Sequence, residues 1–155
     1  MKTLALKKYE DRRLREGHLW IYSNEVDTAK TPLKTLIAGE QVVIEDFSGK
    51  KLGIATVSPQ SLICARLISR DIKHSLDKSL LVHRINQALS LRERFYDEPY
   101  YRLVYGDSDQ LAGLVVDRFG DYCVVQTTTA GMELIKDDIV QALIKVLNPT
   151  GILFK

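Results

Sequence analysis

The sequence has few cysteines, and their spacing serves neither a disulfide framework nor a metal site. Its 155 residues include two cysteines, Cys64 and Cys123, without a Cys-x-x-Cys motif. Disulfide-dependent secreted proteins and zinc modules need more cysteines at closer spacings, so both classes are excluded. A reduced, cytoplasmic environment is the expectation. Each cysteine stands in an apolar, strand-like run, which predicts two core residues.

Long apolar runs are also lacking. The start MKTLALKK has an apolar run of only three residues before two lysines. A secretory signal needs roughly 7 to 15 apolar residues, and a membrane-spanning helix needs about 18. We therefore expect neither an export signal nor a membrane partner.

The chain has no strong excess of one charge, because it has 22 Lys/Arg and 20 Asp/Glu, a net charge of +2. The two halves differ, however. Residues 1–72 hold 12 basic and 9 acidic residues, a net +3, whereas residues 73–155 hold 10 and 11, a net −1. Such mild values do not by themselves indicate a nucleic-acid binder, but they predict that any anion-binding face lies in the first half.

Motifs for catalysis and metal binding are missing as well. The chain has no glycine-rich strand-to-helix loop for a cofactor and no Gly-x-Ser-x-Gly, and its three histidines are scattered. Asp107, Asp109, Asp117 and Asp121 crowd one segment, but the glycine and glutamate that an EF-hand loop requires are absent. We predict turn-forming carboxylates, and no cofactor, metal or catalytic residue in this chain.

The first half has the pattern of one helix followed by short strands. Apolar positions predict a helix over Leu4–Glu16, with Gly17 as its left-handed C-cap. HLWIYSNEV and SLICARLIS are strand-like, and QVVIEDFSGKKLGIATVSP predicts a hairpin with glycine at its tip. Residues 1–72 are therefore predicted to form a small β-barrel or β-rich module.

The second half, residues 73–155, predicts a small mixed α/β domain. Helices are expected over Leu76–Phe95, capped by Asp77, and over Met132–Leu147. YRLVYG, GLVVDRFGDYCVVQTT and ILFK read as strands. Because an apolar run such as ILF is usually buried, we expect the chain to have been cut from a longer protein; the alternative is an edge strand at a true C-terminus.

The segment RRLREGHLWIYSNEV, residues 12–26, combines arginines with aromatic residues. On the helix predicted over Leu4–Glu16, Lys8, Arg12 and Arg15 share a face and Tyr9 turns inward. A basic face beside an aromatic strand suits a phosphate backbone. Three neighbouring acids dilute the charge, so the residues alone also allow a solvated helix.

Two segments resemble a known family. LKKYEDRRLREGHLWIYSNEV resembles the opening of the large-subunit ribosomal RNA cytosine-C5 methyltransferases, whose N-terminal PUA domain has a basic helix and an H-x-W-[VI]-[FY] stretch. GDSDQLAGLVVDRFGDYCVVQ resembles the family's G-[ED]-x-D-G-L-P-G-L-x-V-D-R-[FY]-G-[DN] hairpin. Gln110 stands where that pattern has glycine, and Ala112 where it has proline.

The resemblance implies an α+β chain: a PUA-like β-barrel over residues 1–72, then a truncated central α/β domain over residues 73–155. In the family a Rossmann-like domain binds S-adenosylmethionine and carries the catalytic cysteine, and no such domain is found in this chain. Ribosomal RNA is the implied partner, and oligomerisation is left open. The implied RNA-binding residues are Lys7, Lys8, Arg12, Arg13, Arg15 and His18.

Other residues are given structural roles. Trp20 is predicted to anchor the core, and Asp117 and Arg118 to serve the hairpin and an interdomain contact. The function implied is the RNA-binding portion of an S-adenosylmethionine-dependent ribosomal RNA methyltransferase, inactive by itself. The alternative is a stand-alone RNA-binding or protein-interaction module without enzymatic activity.

Overall fold

A computed structural model describes residues 1–155 and divides them into two compact units, Met1–Ser75 and Leu76–Lys155. Each unit has its own sheet and its own buried side chains. No helix in the chain combines the length and apolar character needed to cross a membrane.

Unit 1 (Met1–Ser75) is built on a five-stranded sheet. Its order is β1-β3-β4-β5-β2, in which β1 runs parallel to β3 and the other neighbours are antiparallel. One α-helical turn, α1, follows β1, and two short 3-10 turns follow β2. The elements are β1 (Lys2–Ala5), α1 (Arg12–Arg15), β2 (Trp20–Tyr22), the 3-10 turns Ser23–Glu25 and Leu33–Thr35, β3 (Gln41–Glu45), β4 (Lys51–Val57) and β5 (Ile63–Ser69).

The two edges of this sheet meet just beyond β1 and β2, where Leu6 forms an antiparallel bridge with Val26. The Lys7 N–H donates to the Glu25 carbonyl at 2.9 Å, and the Asp27 N–H donates to the Ala5 carbonyl at 2.8 Å. These bonds close the sheet into a barrel, so its edges are satisfied within the unit. Leucine, isoleucine and valine side chains fill the interior, among them Leu4, Leu6, Ile21, Val42, Ile44 and Val57.

The predicted β3–β4 hairpin is confirmed. At its turn the Asp46 carboxylate accepts hydrogen bonds from the backbone N–H groups of Ser48 and Lys50, both at 2.9 Å. Gly49 has a φ of +90°, a left-handed conformation that glycine adopts without strain.

The predicted helix over Leu4–Glu16 is wrong, because the first part of this segment is strand β1 and only Arg12–Arg15 is helical. Pairing with β3 buries Leu4 and Ala5, and this tertiary contact outweighs the local helical pattern. Tyr9 does not turn inward: it has a φ of +70° and is 70% exposed. Gly17, with a φ of +107°, does follow the end of α1 in the expected left-handed conformation.

Unit 2 (Leu76–Lys155) has a four-stranded sheet of order β6-β7-β8-β9. Strands β6, β7 and β8 form an antiparallel meander, and β9 runs parallel to β8. Helices α2 and α4 pack together and supply buried side chains to the core. The elements are α2 (Lys78–Phe95), β6 (Tyr100–Tyr105), a 3-10 turn Gly106–Asp109, β7 (Leu114–Phe119), β8 (Tyr122–Thr127), α3 (Ala130–Leu134), α4 (Lys136–Leu147) and β9 (Gly151–Phe154).

The helices and strands expected in the second half are found, with one correction. The Asp77 carboxylate caps α2 by accepting from the Leu80 N–H at 2.9 Å, as predicted. The helix predicted over Met132–Leu147 is instead two helices, because the backbone leaves helical geometry at Ile135.

Both cysteines, Cys64 in unit 1 and Cys123 in unit 2, are free and buried, which confirms them as core residues.

Candidate nucleic-acid interface

The single turn of α1 is held against the rest of unit 1 by Leu14 and Arg70. Leu14 is buried and fixes the turn against the barrel, which leaves Arg12, Arg13 and Arg15 exposed. From the end of β5, the Arg70 guanidinium donates to the Leu14 carbonyl at 2.7 Å and to the His18 carbonyl at 3.3 Å. Sequence reasoning missed Arg70, because it lies more than fifty residues from its partners and no local pattern links them.

Arg15 differs from the other two arginines because two carboxylates hold it. Its guanidinium donates to Asp11 at 2.5 Å and to Asp46 at 2.8 Å. The hydrogen bond that Arg15 donates to Asp11, with the nearby charges of Asp11 and Asp46, raises the pKa of Arg15 above its ordinary value. Arg15 therefore ties α1 to the β3–β4 turn and has less positive charge to offer a phosphate.

Arg13 lies over the ring of Tyr22, with 5.4 Å between the guanidinium carbon and the ring centroid. The two side chains form part of a cleft of about 480 Å³ whose other lining residues are Glu10, Asn24, Glu25 and Leu62. Glu25 is buried, and its carboxylate accepts from the Tyr22 N–H at 2.8 Å, which fixes the wall of the cleft. A stacked ring and guanidinium beside carboxylate and amide groups suit an unpaired nucleobase.

The remaining predicted cations lie on the same surface segment without ion-pair partners. Lys7 and Lys8 precede α1 and are exposed, as is Arg12, and none of the three forms an ion pair. The Lys8 ammonium lies 5.3 Å from the ring centroid of Tyr9. His18 follows α1 and is also exposed. These side chains can meet phosphate oxygens without first breaking an internal ion pair.

Trp20 is not the core anchor that we predicted, because it is 40% exposed. In β2 the buried residue is Ile21, and successive strand residues point to opposite sides of a sheet. Trp20 therefore lies on the outer side, directly opposite Arg66 of β5. The sequence WIY is apolar at every position, so its alternation could not reveal which residues face inward.

Asp117 and Arg118 lie in unit 2, on β7, and make contacts on opposite sides of its sheet. The Asp117 carboxylate accepts from the Arg102 guanidinium at 2.8 Å and 3.3 Å. Arg118 donates to the Tyr101 hydroxyl at 2.8 Å and to the Gly120 carbonyl at 3.1 Å. Both side chains thus support the β6–β7–β8 meander, and the interdomain contact stays a prediction.

Sequence comparison connects unit 1 with a known domain. Residues 4–70 match the family model of the PUA-like domain. The chain is also similar to proteins named ribosomal RNA large subunit methyltransferase I: 36% identical over 146 residues to that of Aliivibrio fischeri strain MJ11, and 35% over 143 residues to that of Escherichia coli strain SMS-3-5. These alignments cover 92% and 90% of this chain but 36% and 35% of the relatives. The chain thus spans about a third of their length.

Solved structures agree on the fold. A candidate S-adenosylmethionine-dependent methyltransferase from Streptococcus mutans matches the whole chain with a TM-score of 0.83 and 23% identity, over 40% of its own length. A candidate methyltransferase in complex with S-adenosylhomocysteine also has a TM-score of 0.83, at 21% identity and over 40% of that chain. The α+β arrangement, a PUA-like module followed by a mixed α/β domain, is therefore shown.

Proposed function

We propose that this chain is the RNA-binding N-terminal portion of an S-adenosylmethionine-dependent ribosomal RNA methyltransferase that acts at cytosine C5. The observation that carries the RNA assignment is the surface formed by Lys7, Lys8, Arg12 and the stacked pair Arg13–Tyr22. It lies on a PUA-like domain, and the similar curated proteins are named as ribosomal RNA methyltransferases. Cytosine C5 as the target follows from the motif resemblance.

Within this surface the residues have different proposed roles. Lys8 and Arg12 contact phosphates, and Arg13 with Tyr22 holds an unpaired base in the cleft. Lys7 and His18 extend the contact along the backbone. Arg15 positions α1 through Asp11 and Asp46 rather than binding RNA directly.

Methyl transfer is assigned to a part of the full-length protein outside these 155 residues. The chain holds no glycine-rich strand-to-helix loop, and both cysteines are buried in strands. We propose that the full-length protein binds S-adenosylmethionine elsewhere, and that Asp117 and Arg118 shape the hairpin that approaches that region.

The proposal is tested by measuring RNA affinity at several salt concentrations. Fluorescence anisotropy with a labelled, unpaired fragment of large-subunit ribosomal RNA gives the affinity of the parent and of Arg12→Ala/Arg13→Ala. Each phosphate contact on single strands contributes about −0.7 to the slope of log affinity against log salt, so loss of the Arg12 contact should flatten that slope by about 0.7. Affinity should fall for all sequences, because phosphate contacts carry little base information.

The matched control removes two exposed lysines elsewhere in unit 1, as Lys34→Ala/Lys51→Ala, and should change the slope much less. Trp20 is the only tryptophan of the chain and is partly exposed on β2, so its fluorescence reports binding next to the cleft. Equal affinities and slopes for the arginine variant and the parent would exclude this surface as the RNA site.

A further inference from the structure

The outer side of the unit 2 sheet carries several large apolar side chains beside the Arg102–Asp117 ion pair. Directly opposed residues on neighbouring strands share one side of a sheet, and Tyr100, Phe119 and Tyr122 are opposed across β6, β7 and β8. Tyr105 and Leu153 lie on the same side. These five side chains, here called the aromatic face, are between 52% and 64% exposed.

A large exposed apolar patch marks a binding surface more often than a solvent-facing one. The inner side of the same sheet is covered normally, with Leu103, Leu114, Val116, Cys123 and Val125 buried. The Tyr100 and Tyr122 rings lie close to Gly120 and Gly151, two residues that have no side chain to crowd them.

Charge distinguishes this face from the RNA surface of unit 1. Residues 76–155 hold 9 basic and 11 acidic residues, a net −2, whereas residues 1–75 hold 13 and 9, a net +4. Three acidic residues lie near the end of the sheet that carries Tyr100, Phe119 and Tyr122. They are Asp97, Glu98 and Asp121, which are exposed and form no ion pair. The Gly120 N–H donates to the Pro99 carbonyl at 2.8 Å, which places the Asp121 turn beside Glu98. These carboxylates repel phosphates and attract cations.

The aromatic face also shows which cation it fits. The Arg102 guanidinium lies 5.1 Å from the ring centroid of Tyr105 and pairs with both carboxylate oxygens of Asp117, at 2.8 Å and 3.3 Å. The other end of the face has rings in Tyr100, Phe119 and Tyr122, and nearby carboxylates, but no arginine lies over these rings. A flat guanidinium from outside can take the corresponding place between a ring and a carboxylate.

We propose that the aromatic face docks an arginine-bearing segment of a basic protein partner. The rings receive the apolar and guanidinium parts of the segment, and Glu98 and Asp121 pair with its positive charges. The protein would then have two surfaces of opposite character: a basic one in unit 1 for RNA and an acidic, aromatic one in unit 2 for protein.

The experiment uses the whole chain and a fluorescein-labelled Arg-Gly decapeptide, with a Lys-Gly decapeptide and a ten-nucleotide oligouridine as comparison probes. Anisotropy should show tighter binding of the arginine peptide than of the lysine peptide, because guanidinium stacks on rings and ammonium is strongly hydrated. Phe119→Ser/Tyr122→Ser should weaken arginine-peptide binding about fivefold or more. Glu98→Gln/Asp121→Asn, which leaves the rings in place, should weaken it about threefold.

Leu134→Ser, which removes an exposed leucine of α3 in the same unit, is the matched control and should leave peptide binding unchanged. Circular dichroism checks that each variant is folded; if the ring variant is not, the charge variant alone decides. The proposal is overturned if the arginine peptide does not bind, or if the folded variants bind it as the parent does. It is also overturned if the ring variant weakens oligouridine instead or abolishes self-association in sedimentation, or if the full-length protein does not bind the arginine peptide. The face would then belong to RNA, to a second copy or to the rest of the protein.

Discussion

Arg92 of α2 and Asp109 of the 3-10 turn after β6 form a doubly hydrogen-bonded ion pair, with N–O distances of 3.0 Å and 2.7 Å. The pair is largely buried, and Asp109 also accepts from the Tyr105 N–H at 2.7 Å. Removal of one partner leaves the other charge buried and unpaired. We expect Asp109→Ala to lower the free energy of unfolding by about 3 kcal/mol, measured by urea denaturation.

The double variant Arg92→Met/Asp109→Ala completes a thermodynamic cycle around this pair. It should lose less stability than the sum of the two single variants, because neither charge is then left behind. Asp97→Ala removes an exposed, unpaired carboxylate and should be nearly neutral. A loss for Asp109→Ala as small as for Asp97→Ala would contradict a structural role for the pair.

Gly113 is a position where a side chain cannot be added without strain. Its φ is +88°, and a Cβ atom built there would lie 2.1 Å from the Thr129 hydroxyl oxygen. Gly113→Ala should therefore lower the free energy of unfolding by about 2 kcal/mol or more, through left-handed strain and a clash. Gly106→Ala, with a positive φ but open space around it, should cost about 1 kcal/mol. Thermal melts compare the two variants, and equal losses would show that the Thr129 contact is relieved easily.

The two thiols should be unreactive in the native protein. Burial raises the pKa of the Cys64 thiol to about 11 and also raises that of Cys123. Since the thiolate is the reactive form, almost none is present at pH 8, and access is blocked as well. A disulfide exchange reagent such as DTNB should find no fast-reacting thiol at pH 8 and two after unfolding in guanidinium. A fast thiol in the native state would contradict their burial.

The Asp46 carboxylate should stabilise the folded state at neutral pH and lose this effect in acid. Its hydrogen bonds with Ser48 and Lys50, and the nearby Arg15, lower its pKa below the ordinary value. A carboxyl group with a lowered pKa in the folded state adds stability above the unfolded pKa, near 4, and loses it as pH falls through the folded value. The parent should melt at a higher temperature than Asp46→Asn at pH 7, and this difference should shrink below pH 4. A difference that is constant with pH would show that charge is not involved.

Hairpins and long helices were predictable because their signals are local. The β3–β4 turn, the Asp77 cap and the α2 helix each depend on residues close together in sequence, and all three are found. The segment before α1 was not predictable in the same way. The positions of Leu4 and Leu6 fit the apolar periodicity of a helix as well as that of a strand. Pairing with β3, about forty residues away, decides in favour of a strand.

The candidate site shows the same division. The cations of the candidate site were named from their spacing and the family resemblance, but the two carboxylates that hold Arg15 and the Tyr22 ring beneath Arg13 depend on the fold. Arg70 and the exposure of Trp20 were missed for this reason. The exposure of Trp20 depends on which side of β2 it faces, and the role of Arg70 depends on hydrogen bonds to residues far away in sequence. A single sequence reveals neither.

The closure of unit 1 between Leu6 and Val26 also bears on how the chain folds. β1 must pair with β3, and residues 5–7 must meet residues 25–27, before the barrel interior is shielded. Such non-local pairing is slow, with folding on the order of milliseconds to seconds, whereas the β6–β7–β8 meander connects neighbours in sequence. During synthesis the unclosed strands of unit 1 therefore stay open to pairing with other chains for longer than the later meander does.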